Sequence, residues 1–192
     1  MKTLKNIGVF CGSSMGKNPI YEREADRLGK AMLQRGLGLV YGGGNRGIMG
    51  TIAHTIHDGG GTVLGVLPKA MDIPSVTKDT ACTEVIITSD MHERKSTMYQ
   101  HADAFIAMPG GIGTVEEIAE VYTWRQLDYL DKNIAFYNVN GFWDPFISFL
   151  DKCVEEGFLS SSVRDVLIIS SDPEELLDRL EKEHKVLPNK LS

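Results

Sequence analysis

Seven short apolar runs alternate with longer amphipathic ones along this chain, and that alternation restricts the possible folds more than any other feature. The runs fall at 6–11, 37–41, 62–67, 84–88, 104–108, 133–137 and 166–170. Each has strand length. Between them, apolar residues recur at helical spacing near 19–35, 47–59, 91–102, 115–129, 143–156 and 173–184. Strands this apolar are buried on both faces, and strand–helix–strand succession joins parallel neighbours by right-handed crossovers. The pattern predicts an α/β fold: one doubly wound parallel sheet of about seven strands, with helices on both faces. Residues 1–184 fit a single domain, long enough to bury roughly 70% of the unfolded surface. The polar stretch 185–192 is expected to fray.

Such a sheet binds ligands beyond the carboxyl ends of its strands. Three of those ends carry glycine-rich turns: CGSSMG at 11–16, YGGGNRGIMG at 41–50 and MPGGIG at 108–113. One glycine turn is ordinary in an α/β protein, but three at one edge point to a ligand that approaches the backbone closely. A nicotinamide site would need G-x-G-x-x-G after the first strand and an acid ending the second; the chain has only Gly12 and Gly16, then Gly42, Gly43 and Gly44. The nearest approach to a P-loop, GSSMGKN, is one residue short and lacks the Ser or Thr that holds magnesium.

Metal chemistry also fits poorly. His54 and His57 could share a helix face, but no third ligand follows at a suitable spacing, and no metal or other cofactor is expected. Cys11 ends a strand beside the expected site, yet no histidine is placed to activate it, so it reads as a buried structural thiol. Together with Cys82 and Cys153 it makes an odd set without metal-type spacing, which suits a reducing compartment. A net charge of −6 argues against nucleic acid or an anionic membrane as partner. No apolar run approaches the ~20 residues of a span, and the first residues enter structure directly, so a soluble cytoplasmic protein is expected.

The segment MPGGIGTVEE at 108–117 sets a puzzle. Its glycines and the following helix N-terminus offer backbone N–H groups to a phosphate. Glu116 and Glu117 then place negative charge in what reads as the first turn. Thr114 as N-cap with Glu117 at the third helical position would be a capping box, which needs no ligand. A second role as base or cation stabiliser is equally open. In SDMHERKSTM at 89–98, Asp90 and Glu93 resemble a cap, and Asp90–Arg94 is an i,i+4 pair. That describes a solvated helix turn. However, Arg94 and Lys95 also lie near the positive end of the helix dipole, past a central strand, where an anion-binding or catalytic role would use them. In the helix from 115, Val115, Ile118, Ala119 and Tyr122 form one stripe, with Val121, Trp124 and Leu127 opposite. Burial on both sides implies either a subunit interface, most simply a homodimer, or a place deep in the monomer.

PGGIGTVEE resembles the P-G-G-x-G-T-x-x-E motif of the LONELY GUY family, the cytokinin riboside 5′-monophosphate phosphoribohydrolases. VYGGGNRGIMG, MHERK and VYTWRQL match further blocks of that family in order, and the likeness runs from about Asn6 to about Asp178. The label "lysine decarboxylase" that the family has often carried finds no pyridoxal-phosphate lysine motif here. The resemblance implies a Rossmann-like fold, at least a dimer, and hydrolysis of the N-glycosidic bond of an adenosine 5′-monophosphate, often N6-substituted. The products would be free base and ribose 5-phosphate. By position, Arg94 and Glu117 match the catalytic pair, while Lys95, the turn 111–114 and Thr123 match ligand contacts. Gly110, Gly111 and Gly113 with Thr114 would hold the phosphate. Ser13 and Gly43, in the other two glycine turns, and Met91, opening MHERK, complete the candidate substrate contacts. The chain departs from the family in lacking a glutamate within 72–80, which leaves substrate preference more open than reaction class.

This chemistry resolves the puzzle. Breaking C1′–N9 builds positive charge on the ribose, which a carboxylate stabilises while a phosphate anchor orients the ring. Two other readings share the same residues: a nucleotide-binding or sensing protein that does not hydrolyse, and a hydrolase of other purine nucleotides.

Overall fold

A computed structural model describes residues 4–73 and 79–187. Among these residues, seven strands form one wholly parallel sheet: β1 (Asn6–Phe10), β2 (Gly38–Tyr41), β3 (Val63–Pro68), β4 (Glu84–Thr88), β5 (Ala104–Ala107), β6 (Asn133–Tyr137) and β7 (Leu167–Ser170). Their order is β4-β3-β2-β1-β5-β6-β7. Chain direction across the sheet therefore reverses at β1, whose Ile7 pairs with Leu39 on one side and Ala104 on the other. In a doubly wound sheet the crevice at that reversal is where ligands bind. Here it lies between the turns after β1 and β5, which carry two of the three glycine-rich segments.

The helices are α1 (Ile20–Gln34), α2 (Gly47–Asp58), α3 (Met91–His101), α4 (Ile112–Gln126), α5 (Asp144–Glu155), α6 (Ser161–Arg164) and α7 (Pro173–Lys182). Successive strand residues point to opposite faces, so β1 serves two cores. Ile7 and Val9 pack with Leu28 and Met32 of α1, Ile52 and Ile56 of α2, and Leu176 of α7. Phe10 packs with Met98 and Tyr99 of α3, Ile118 and Val121 of α4, and Leu150 of α5. The expected α/β fold, with helices on both faces, is what the chain adopts. The four-residue α6 has no counterpart in the sequence pattern, since a single turn shows no period; Ser160 caps it through Val163 N.

Two local expectations fail. Helix α4 begins at Ile112 rather than 115, with Gly111 as an N-cap that makes no side-chain hydrogen bond. Thr114 is thus the third helical residue, and the Thr114–Glu117 capping box does not form. Glycine tolerates the extended cap conformation and leaves the first N–H groups uncovered. Helix α3 is capped as expected: Asp90 accepts from His92 N and Glu93 N, while Glu93 accepts from Ser89 N. That occupies the Asp90 carboxylate, and Arg94 turns inward instead of forming the i,i+4 pair. In the tail, Lys185 Nζ donates to Asp165 O at 2.6 Å, and Lys185 O accepts from Arg125 Nη2 at 2.7 Å.

Phe105 is fully buried, stacked on Phe10 and edge-on to Tyr99. Phe105→Ala should lower unfolding free energy by about 3–5 kcal/mol, read from urea denaturation.

Candidate active site

Three glycine turns converge because their backbones bond to one another. Gly12 N donates to Pro109 O at 3.0 Å, and Gly12 O accepts from Met49 N at 3.2 Å. The approach is close enough that a Cβ on Gly47, where φ is +63°, would lie 2.3 Å from the Ser13 carbonyl carbon. Residues 11–14, 47–50 and 109–111 are therefore held as one unit at the reversal point of the sheet.

Beside this unit lies a cavity of about 420 Å³ walled by Ser13, Met91, Arg94, Gly111, Gly113, Thr114 and Glu117, all expected from sequence. Its wall also includes Cys11, Gly12, Met49, Met71, Ile112 and Glu116. Gly12 and Met49 belong to glycine turns already singled out, whereas Met71, in a single 3₁₀ turn after β3, carries no sequence signal. The start of α4 forms one side of the cavity. Gly111, Ile112 and Gly113 are exposed there, and a Cβ on either glycine would meet nothing within 4 Å. The first N–H groups of a helix have no partner within it, so this end presents donors and the positive end of a dipole to an anion.

Glu117 lies one turn farther along α4. Its Oε1 accepts from Arg94 Nη1 at 2.9 Å, with both side chains almost enclosed. Arg94 Nε donates to Val66 O at 3.0 Å, tying the guanidinium to β3. Gly42 leaves room for it, because a Cβ there would fall 2.2 Å from Arg94 Nη2. Burial holds the Glu117 carboxyl above its ordinary range against the opposing charge of Arg94; Glu116 pushes the same way as burial, and Lys95 opposes it. Cys11 is pushed far up by burial and by Glu117, which leaves it a protonated thiol rather than a nucleophile.

Four predicted contacts lie outside this cavity. Gly110 packs on Thr114 and lines a neighbouring cavity of about 220 Å³ with Tyr21 and Phe142. Gly43, at φ +73°, faces the Leu67 side chain. Thr123 is exposed two turns beyond Glu117, its hydroxyl donating to Ala119 O. Lys95 Nζ meets Glu116 Oε1 at 2.5 Å and Glu120 Oε2 at 3.0 Å. Glu116 is thus an ion-pair partner of Lys95. In the segment 72–80, where the family glutamate is missing, residues 74–78 lie outside the described residues.

Residues 49–180 match the family model described as "Possible lysine decarboxylase". The chain is 46% identical over 178 residues to a probable cytokinin riboside 5′-monophosphate phosphoribohydrolase of Oryza sativa subsp. japonica, covering 93% of this chain and 72% of that protein. It is 45% identical to a cytokinin riboside 5′-monophosphate phosphoribohydrolase of Arabidopsis thaliana, covering 93% and 82%. Among solved structures it is similar to a molybdenum cofactor carrier protein of Chlamydomonas reinhardtii (TM-score 0.67, 20% identity, 92% and 99% covered). A molybdenum cofactor binding protein of Rippkaea orientalis is equally similar (TM-score 0.66, 21% identity, 93% and 96% covered). At those identities the two structures speak for the fold alone.

The crowding at Gly42 gives a direct test. Gly42→Ala should cost about 1–3 kcal/mol of stability by forcing Arg94 aside, whereas Gly111→Ala should cost about 1 kcal/mol or less. Urea titration of both variants measures the contrast.

Proposed function

The chain belongs to the LONELY GUY family of cytokinin riboside 5′-monophosphate phosphoribohydrolases, and from that membership we propose that it hydrolyses the N-glycosidic bond of an adenosine 5′-monophosphate, N6-substituted or not. The observation that carries this reading is the shared cavity, in which a helix N-terminus open to an anion stands one turn from an enclosed carboxylate. A nucleoside monophosphate needs both. Its phosphate is an anion in every state, and its ribose becomes a cation only as the base departs.

In this account the N–H groups at the start of α4, with Thr114, take the 5′-phosphate and hold C1′ toward Glu117. As the C1′–N9 bond breaks, its electron pair leaves with the base. Ionised Glu117 stabilises the oxocarbenium-like ring and accepts a proton from the attacking water. Water oxygen bonds to C1′, the proton taken by Glu117 passes on to the departing base and leaves the carboxylate ionised again, and the products are free base and ribose 5-phosphate. Arg94 orients Glu117 and favours its ionised form. The methionines at 49, 71 and 91 offer the base an adaptable, polarisable wall. A protein that merely bound nucleotides would have no need of a carboxylate beside its anion site.

The proposal extends to assembly and setting. A homodimer is favoured by the apolar residues on two sides of α4, although the monomer already buries Ile118, Val121 and Tyr122. All three cysteines are free, which suits a reducing cytoplasm. Sedimentation at micromolar concentration should give twice the mass of one chain; a single-chain mass would refute the dimer.

Incubation with AMP or N6-isopentenyl-AMP should release free base on a chromatogram. Glu117→Gln should lower that rate by at least about 100-fold while the protein stays folded. Tight binding of AMP, with no base from any nucleoside monophosphate, would establish a binder instead. Because the active form is the carboxylate and its pKa is raised, the rate should fall as pH drops through a midpoint above 4.5, the ordinary glutamate value. A pH profile of kcat/KM checks that midpoint.

A further inference from the structure

We propose that the smaller cavity beside the candidate active site is a second ligand site, which takes an uncharged planar ring of the class of a free purine base while a nucleotide occupies its neighbour. That such a base is formed next door rests on the hydrolase reading above; the fit of a ring to this cavity does not.

The cavity encloses about 220 Å³, below the roughly 300–1,000 Å³ of sites for drug-sized ligands, so it has room for one fused bicyclic ring rather than a whole nucleotide. Among the described residues no charged side chain lines it; neither Arg94 nor Glu117 reaches it. The lining thus brings no side-chain charge to meet a phosphate, whereas its apolar and aromatic walls suit a neutral ring.

Two aromatic side chains set its shape. Tyr21, in the first turn of α1, and Phe142, just before α5, meet edge-on with centroids 6.0 Å apart and planes at 81°. Ile48 of α2 and Pro109 add apolar wall. The Tyr21 ring is backed by Gly16, where φ is +71° and a Cβ would fall 2.9 Å from it. Phe142 is presented by a sharp turn in which Asn140 and Gly141 have φ of +52° and +68°. Asn138 pins that turn, accepting from Trp143 N at 2.8 Å and donating to Asp144 Oδ1 at 2.7 Å. Trp143 is buried by the same turn, while Phe142 stays 37% exposed at the cavity. Rings held in this way lose little freedom when a ligand arrives, and a flat base packs on them stacked or edge-on.

The two cavities share a glycine wall, since Gly12 and Gly111 line both. A base in the smaller cavity therefore rests on the backbone unit whose helix end faces the larger one, without filling the space a nucleotide needs.

The test is calorimetric titration of adenine into Glu117→Gln protein saturated with AMP. Adenine should still bind, at one site per chain. Adding Tyr21→Leu or Phe142→Leu should weaken adenine about 10-fold and leave the affinity for AMP within about twofold. Each leucine keeps apolar volume and removes the ring, and either variant alone suffices if the other does not fold. Displacement of adenine by AMP overturns the proposal. So does adenine affinity unchanged by the leucine substitutions, or AMP affinity that falls along with it. Turnover of AMP by wild type is measured separately: absence of free base refutes the hydrolase reading, and adenine titration of the same variants without AMP then decides the second site.

Discussion

The enclosed pairing of Arg94 with Glu117 is the contact on which the rest of the site depends. A guanidinium this buried must be paired and hydrogen-bonded, and Arg94 finds its partners on two other elements: Val66 O of β3 and Glu117 of α4. The space it occupies exists because residue 42, just past β2, is glycine. The turn after β2, strand β3 and helices α3 and α4 thereby agree on the position of one carboxylate. Such a pair adds little net stability, because desolvation offsets the attraction. What it supplies is a carboxylate of fixed direction at the wall of a cavity.

That direction matters because the proposed substrate carries opposite charges a few ångströms apart in its transition state. Backbone N–H groups suit the phosphate, since they are fixed by the fold and bring no counter-charge to compete with the ribose. A side-chain carboxylate suits the ribose, since it can exchange a proton. Placing the two one helical turn apart on α4 gives each its own region. A second ion-pair cluster, Lys95 with Glu116 and Glu120, holds two further acids of that helix.

The strand pattern was legible because a buried parallel strand must be apolar on both faces; the edge strand β4 carries an apolar run too, but against the expectation of burial it leaves Val85 and Ile87 exposed. The glycine turns were legible for a related reason: Gly12 and Gly47 permit backbone contacts that a Cβ would block. The start of α4 was not. T-x-x-E is a true capping signature, but Gly111 caps the helix without a side chain, and no spacing rule distinguishes the two. Lys95 was singled out by its neighbourhood, but its ion pairs with Glu116 and Glu120 were not legible, because those partners lie 21 and 25 residues away. Met71 enters the cavity only through the turn after β3, and Thr123, matched by motif, faces solvent.

The measurement that bears most directly on this account is a crystal structure of the Glu117→Gln variant soaked with AMP. The account predicts the phosphate on the backbone N–H groups of residues 112–114 and C1′ facing the residue 117 side chain. A phosphate seated away from the start of α4, or a ribose turned away from residue 117, would contradict it.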